Sequence, residues 1–348
     1  MKAAVLEGKN NIQIEDIEIP EIKSKEVLVK VMATGICGSD LPRVFENAAH
    51  NFPIILGHEF SGYVVDFADD VTLFEKGDHV AGIPLVPCME CIDCKNGNYS
   101  LCKQYSFVGS RQNGSLSEYI VLNEKNLLKI DKNIPYETAA FFEPSTVALH
   151  GIYQSKYKDA KNVVILGGGT IGLFTLQWVK ILGAEKVTVT DIDMDHLKLA
   201  KQFGADYVLE TKDENFLEKA KEITDGRGFD YVFMTTGAVP AMKSAFELAS
   251  NKAHVCFIGT PTKDITFSIR EWENMNRKEF YLTGSWMSYS APWPGKEWEM
   301  TAEHFAKGDL KIVPEMIFKS FPIDKTMEAF NEFTIPGNVS GKVQIRDF

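Results

Sequence analysis

No long apolar run occurs in this chain. The longest uncharged stretch, Asn162 to Val179, holds four glycines and several polar residues and is too polar to span a bilayer. The opening MKAAVLEGKN lacks the apolar segment of a secretory signal, so a cytoplasmic protein is expected. Basic charge is in deficit, with 37 lysines and arginines against 48 acidic residues and a net charge of -11. That balance argues against a general attraction to nucleic acid or to anionic membranes. Arginine is scarcest, at six residues, so an anionic substrate requires a local basic pocket. Cysteine is sparse too: six are too few for a disulfide scaffold in 348 residues, and four of them fall within fifteen positions, which points to a metal site.

What is present is enough for ordinary globular folding. A hydrophobic fraction of 45% and a length of 348 residues suggest about two domains and exclude a disordered or fibrous chain. From Met1 to about Phe142 the sequence is a succession of short β-type runs, such as Glu26 to Ala33 and Gly62 to Asp66, broken by Gly, Pro and Asp. After Pro144 apolar strands alternate with helix-length segments. Strands are predicted at Asn162 to Leu166, Lys186 to Thr190, Tyr231 to Met234 and His254 to Ile258, and helices at Thr170 to Leu182 and Asp193 to Phe203. Strand-helix alternation implies an α/β fold with a doubly wound parallel sheet. Gly183 and Gly204 stand where left-handed helix caps belong. Beyond about Gly284 the alternation gives way to Trp- and Pro-rich sequence, a helix-like run and a short terminal strand at Lys342 to Arg346.

Cys88, Cys91, Cys94 and Cys102 have the spacing C-x2-C-x2-C-x7-C, which brings four thiolates within reach of one tetrahedral ion. A shell closed by four thiolates leaves no position for substrate, so a structural zinc is expected. A ferredoxin cluster requires a final gap of three followed by Pro, whereas here the gap is seven and Lys103 follows. Local disulfides are the remaining alternative.

Val163 to Leu166 runs directly into Gly167-Gly168-Gly169-Thr170-Ile171-Gly172, so a G-x-G-x-x-G loop lies between a predicted strand and a predicted helix. The first glycine permits the turn, the second lets backbone N–H groups approach a pyrophosphate, and the third lets helix pack on strand. Asp191, 22 residues after Gly169, is placed to accept hydrogen bonds from a ribose. It would repel a 2′-phosphate, and no Arg follows it, so NAD is expected over NADP. A ligand-free glycine turn is the plain alternative.

Cys37, in Gly35-Ile36-Cys37-Gly38-Ser39-Asp40, and His58, in Gly57-His58-Glu59, are further candidate zinc ligands. Taken singly, each is a weak signal, since a lone Cys is usually a small core residue and a lone His is more often satisfied by hydrogen bonds than by metal. Glu143, between Phe142 and Pro144, is a carboxylate in apolar company and needs a partner, either a cation or a buried Arg or Lys.

Together these stretches resemble the zinc-containing medium-chain dehydrogenases, the alcohol and polyol dehydrogenase superfamily. The likeness rests on Gly57-His58-Glu59-x-x-Gly62 with Ala68 and Val71 at later offsets, on the cysteine quartet and on the dinucleotide loop. It implies a discontinuous GroES-like catalytic domain, residues 1–146 and 283–348, and an NAD-binding Rossmann domain, residues 147–282. It further implies a catalytic zinc held by Cys37, His58 and Glu143, with Glu59 as an outer or exchanging ligand, alongside the structural zinc. Ser39 is then a proton relay, or alternatively a turn cap, and Asp40 orients His58 or simply shapes the turn. The reaction implied is hydride transfer from a secondary alcohol to NAD. The stretches Cys37 to Arg43, Phe107 to Arg111 and Gly284 to Gly295 resemble members acting on a phosphorylated polyol. For such a substrate Arg43, His50, Arg111 and Lys296 are the candidate phosphate contacts. A homodimer or homotetramer is implied as well. An unphosphorylated polyol or threonine as substrate, a non-catalytic protein of the same fold, and a zinc ribbon are the competing readings.

Overall fold

The computed structural model describes residues 1–158 and 161–348. Two compact units are present, one formed by Met1–Glu143 with Tyr289–Phe348 and the other by Pro144–Ser288.

In the second unit, among the described residues, six parallel strands lie in the order Tyr207–Glu210, Lys186–Asp191, Asn162–Leu166, Phe229–Met234, Ala249–Phe257, Tyr281–Gly284. This is the Rossmann order, and the direction of winding reverses at Asn162–Leu166. Every residue of that strand is buried, which explains why it reads as an unbroken apolar run rather than an alternating one. The helices Thr170–Ile181 and Met194–Gln202 follow the first two strands. Both end in the expected glycines, with φ of 89° at Gly183 and 91° at Gly204. In each, the glycine N–H and the next N–H bond back into the last turn: Gly183 to Lys180 and Ala184 to Val179, Gly204 to Lys201 and Ala205 to Ala200. Strand Ala249–Phe257 starts five residues ahead of the expected His254. Ala249 pairs with Phe229, the register then shifts, and Lys252 takes a φ of 62°, so a polar bulge hides the true start of the strand. Val164, Leu166, Val232, Met234, Phe246 and Val255 share one apolar core.

In the first unit the strands Leu127–Lys129, His79–Gly82, Glu59–Phe67, Glu26–Gly35, Lys342–Ile345 and Ile317–Phe321 lie side by side, and Tyr119–Asn123 also pairs with Glu26–Gly35. The pairing of Glu26–Gly35 with Glu59–Phe67 shifts register twice, between Leu28 and Val29 and between Val31 and Ala33. Such bulges erase clean alternation, so this unit reads as irregular from its sequence. At one end of the long strand Gly35 is flanked by Glu59 on one side and Gln344 on the other. That junction positions the site described next. Among the described residues no helix is long and apolar enough to cross a membrane.

Candidate metal centres and dinucleotide loop

The four cysteines of the quartet converge. Sγ atoms of Cys88, Cys91, Cys94 and Cys102 all lie within 4.8 Å of one another, and all four thiols are free. Cys88 Sγ stands 3.9 Å from Cys94 Sγ. A Zn–S bond of about 2.3 Å in a tetrahedron implies S···S edges of about 3.8 Å, so the spacing fits an ion and is far too long for a disulfide. The N–H of Cys91 donates to Cys88 Sγ at 3.3 Å, and the N–H of Cys88 donates to Cys102 Sγ at 3.4 Å. Backbone N–H groups of Glu90 and Cys91 pull the Cys88 thiol down to about 6, whereas burial pushes Cys94 up to about 12. Only a cation holds all four as thiolates together.

A second group joins Cys37, His58 and Glu59, whose donor atoms also lie within 4.8 Å of one another. Cys37 caps the single turn Gly38–Asp40, its Sγ accepting from Ser39 N at 3.5 Å and Ser39 Oγ at 3.3 Å. His58 and Glu59 are buried where the strand Glu59–Phe67 begins. Glu143, half-buried, lies close enough to sense His58, Glu59 and Lys342, although it is not one of the three mutually closest donors. Burial and the Glu59 carboxylate push the Cys37 thiol up to about 12, with Asp40 and Glu143 adding to the effect. Burial, aided by Glu59, likewise raises Glu143 to about 7 against the pull of His58. A thiol and three carboxyl groups crowded out of water are poorly matched to one another but well matched to a divalent cation, and the His58 Nδ1 atom, buried without a hydrogen bond, fits the same explanation.

Two surroundings of this group bear on its chemistry. Asp40 does not orient His58: the two are 3.7 Å apart at Nδ1 and Oδ1, beyond a hydrogen bond. Its Oδ1 instead accepts from Arg43 at 2.7 Å, and its Oδ2 accepts from Cys37 N at 3.4 Å. Lys342 was invisible to sequence reasoning. Its Nζ lies 2.9 Å from Glu59 Oε1 and 2.7 Å from Oε2, with only a tenth of its side chain exposed. Burial alone would lower its pKa, but Glu59 and Cys37 more than compensate and raise it. Gly35 makes room for the pair, since a Cβ there would run into Glu59 Oε2 and stand 3.1 Å from Lys342 Cδ.

Three of the four candidate phosphate contacts share a neighbourhood. Loss of surrounding water, then Arg111 and Arg43, lower the pKa of His50, so both guanidinium groups stand near this imidazole. Arg111 lies over the Tyr105 ring at 4.5 Å, while Arg43 also donates to the Ser39 carbonyl at 2.9 Å. Lys296 is exposed in the first turn of the helix Lys296–Lys307, and nothing joins it to that group.

In the other unit, Gly169 caps the helix Thr170–Ile181 without a side-chain hydrogen bond, and a Cβ on it would meet nothing within 4 Å. Gly172 is the opposite case: a Cβ there would overlap the Gly167 carbonyl oxygen. An open N–H-lined helix head behind a tightly packed turn fits a pyrophosphate. Asp191 Oδ2 accepts from Gly168 N at 2.6 Å and contacts His196 Nδ1 at 3.2 Å, and Oδ1 accepts from Asp193 N at 2.9 Å. Burial would raise this carboxyl, but His196 and the two N–H groups hold it below the usual carboxylate range. His196 and Thr235, whose Oγ1 donates to the Leu166 and Gly167 carbonyls at 3.0 Å, were not singled out by the motif, because they arrive from other segments of the chain.

Comparison with known proteins agrees with this arrangement. Residues 23–132 match the alcohol dehydrogenase GroES-like domain, and residues 170–303 match the zinc-binding dehydrogenase domain. The chain is 39% identical over 315 residues to galactitol 1-phosphate 5-dehydrogenase of Escherichia coli strain K12, covering 90% of this chain and 91% of that one. It is 34% identical to D-arabitol-phosphate dehydrogenase of Enterococcus avium, over 93% and 91% of the two chains. The crystal structure of galactitol-1-phosphate dehydrogenase from Escherichia coli superposes with a TM-score of 0.93 at 37% identity, covering 99% of this chain and all of that one. An α/β fold of this strand order, with likeness of this extent, makes the chain a member of the zinc-containing medium-chain dehydrogenase family, an oxidoreductase of the zinc-dependent alcohol dehydrogenase type.

Proposed function

We propose that this protein is an NAD-linked, zinc-dependent dehydrogenase that oxidises a secondary alcohol of a polyol phosphate, with galactitol 1-phosphate to tagatose 6-phosphate as the leading pair. The observation that carries the proposal is the convergence of a thiol, an imidazole and a carboxylate, Cys37, His58 and Glu59, with the half-buried Glu143 near them. Cys37, His58 and Glu143 would hold the catalytic zinc, and the quartet Cys88, Cys91, Cys94 and Cys102 a structural one. When bound, zinc supplies the Lewis acidity that makes an alcohol proton removable near neutral pH, and NAD supplies the hydride acceptor.

The chain's own residues have distinct roles in this reading. Ser39 is exposed, touches Cys37 Sγ and accepts from Arg43 at 3.3 Å, which suits it to pass the alcohol's proton outward. Arg43, His50 and Arg111 would bind the phosphate, and planar guanidinium groups are the side chains best shaped for that anion. Gly167 to Gly172 would cradle the coenzyme pyrophosphate and Asp191 its ribose, favouring NAD over NADP because a carboxylate repels a 2′-phosphate. The names of the two phosphorylated-polyol relatives support the substrate class.

The test is absorbance at 340 nm with galactitol 1-phosphate, arabitol phosphate, and the unphosphorylated galactitol, sorbitol, butanediol and threonine, each with NAD and with NADP. Turnover of a polyol without its phosphate at equal or better efficiency would overturn the substrate assignment.

A further inference from the structure

We propose that a cavity at the edge of the parallel sheet opposite the glycine loop is a second small-molecule site. It takes the phosphate monoester of a polyhydroxy compound, binding the phosphate through Lys221, Arg227 and Lys278 and the hydroxyl groups at Asn162 and Asp230. The site goes beyond the dehydrogenase reading and does not depend on it, because its walls use none of the metal, coenzyme or phosphate-contact residues named above.

The cavity measures about 680 Å³ and lies wholly within the unit Pro144–Ser288. Its floor is the first residues of three neighbouring strands, Asn162, Phe229 and Ala249. Its walls are the helix Phe216–Ile223 with the turn after it, and the end of the helix Ile269–Lys278. Gly167 stands at the far end of the five-residue strand Asn162–Leu166, about 16 Å away along the sheet. The turn carrying Arg227 is fixed in shape. Asp225, Gly226 and Gly228 take φ of 51°, 77° and 85°. The Gly226 N–H donates to the Lys221 carbonyl at 2.8 Å and the Gly228 N–H to Thr224 Oγ1 at 3.0 Å. A Cβ on Gly228 would stand 2.8 Å from the Leu248 carbonyl oxygen, so the turn is pressed against the next wall.

Charge decides what such a cavity can hold. In a chain of net charge -11, three cations line it against two carboxylates, Asp230 and Glu247. Among the described residues none of the three cations forms an ion pair, whereas their neighbours on the same helices do: Lys219 with Asp213, and Arg277 with Glu273 at 3.0 Å. Lys278 is held in place by the Phe246 and Glu247 carbonyls, to which its Nζ donates at 3.1 and 2.7 Å, and one of its three N–H bonds is left for a ligand. Burial lowers its pKa, Glu247 opposes that and Lys221 adds to it, so two like charges share a partly dry space that an anion would relieve. A guanidinium beside two ammonium groups matches a phosphate. The floor asks for something else. Asn162 is only 7% exposed; its N–H donates to Asp230 Oδ2 at 3.0 Å, but its Oδ1 is buried without a donor among the described residues. A buried acceptor left unpaired is costly, and a bare phosphate cannot donate to it or fill the volume. A phosphate carried on a body of hydroxyl groups does both.

The experiment is calorimetric titration of the full-length protein at low ionic strength with glucose 6-phosphate, glucose and inorganic phosphate as probes. Glucose 6-phosphate should show a binding event that weakens about tenfold or more in Lys278→Met and in Arg227→Ser, and survives in Arg111→Ala and Gly169→Ala. Those last two variants disable the catalytic and coenzyme sites instead, so failure of the dehydrogenase reading, seen at 340 nm, is distinguishable from failure of this one. Inorganic phosphate should bind about tenfold or more weakly than the sugar ester, glucose weaker still, and Asn162→Ala should narrow the gap between the two phosphates. Arg227 is exposed on its turn, so Arg227→Ser decides the matter should Lys278→Met not fold. Absence of any event in wild type at millimolar probe, or binding that survives in folded Arg227→Ser and Lys278→Met but is lost in Arg111→Ala or Gly169→Ala, would overturn the site. Equal affinity for inorganic phosphate and glucose 6-phosphate would overturn the ligand class.

Discussion

Two glycines in one loop separate packing from binding. At Gly172 a Cβ would overlap the Gly167 carbonyl oxygen and stand 3.2 Å from Thr235 Oγ1. The first obstacle is backbone and cannot rotate away. Forcing the methyl in costs about 3 kcal/mol, at the upper end of overpacking, and Ala returns about 1 kcal/mol in helix propensity. A net loss of about 2 kcal/mol should lower the Tm of this unit by about 4–8 °C. At Gly169 the backbone has φ of -68° and a Cβ meets nothing within 4 Å. Gly169→Ala should therefore leave Tm unchanged or gain about 0.4–1 kcal/mol through the unfolded chain. Its methyl, however, would stand at the open helix head where the pyrophosphate belongs. Losing one charge-assisted N–H contact there costs about 1.5–3 kcal/mol, or about tenfold to 150-fold in affinity for NADH. The assay is NADH fluorescence titration beside differential scanning calorimetry. Wild-type NADH affinity in Gly169→Ala would refute the placement of the coenzyme, and wild-type Tm in Gly172→Ala would refute the packing argument.

Three further outcomes are expected. Cys91→Ser should lower zinc content by one ion per chain and destabilise the Cys88–Cys102 segment, read by metal analysis and by proteolysis; unchanged zinc stoichiometry would exclude the quartet as a site. Arg111→Ala should raise KM for the phosphorylated polyol about tenfold or more while leaving that for an unphosphorylated one unchanged, because only the phosphate contact is lost; equal effects on both substrates would remove Arg111 from phosphate binding. Glu124 is buried and accepts from Thr72 N at 2.9 Å and Leu73 N at 3.2 Å, and these bonds with Lys25 outweigh burial and hold its carboxyl below the ordinary range. A carboxyl whose pKa is lower in the folded state contributes stability above its unfolded value, near pH 4.3, and loses it as pH falls through the folded value. Glu124→Gln should therefore cost about 1–2 kcal/mol at pH 7, with the gap from wild type closing in acid; a gap independent of pH from 7 to 3 would contradict the assignment.

Much of the coenzyme unit is legible locally. Asn162–Leu166 is found with the expected bounds, and the helices after it end at the glycines that their left-handed caps require. Motif and element there are contiguous, so short-range pattern suffices. The bulged start of Ala249–Phe257 was missed because its polar residues conceal a pairing that only the neighbouring strand reveals. In the other unit the cysteine quartet is legible for a similar reason, its ligands being close along the chain. Of the two readings of Asp40, the turn is the one observed, because Arg43, three residues on, takes the carboxylate oxygen that stands 3.7 Å from His58 Nδ1.

Sequence alone therefore determined the chemistry available: which thiols cluster, where a helix opens onto a glycine turn, and that basic side chains capable of gripping a phosphate are few. Tertiary structure decided which charges face one another. Lys342 meets Glu59 across 283 residues only because Gly35 lies between the two strands that carry them, and no local pattern encodes such a meeting. The physical reason is that strand pairing and close packing are set by the whole sheet, whereas propensity and ligand spacing act over a few residues.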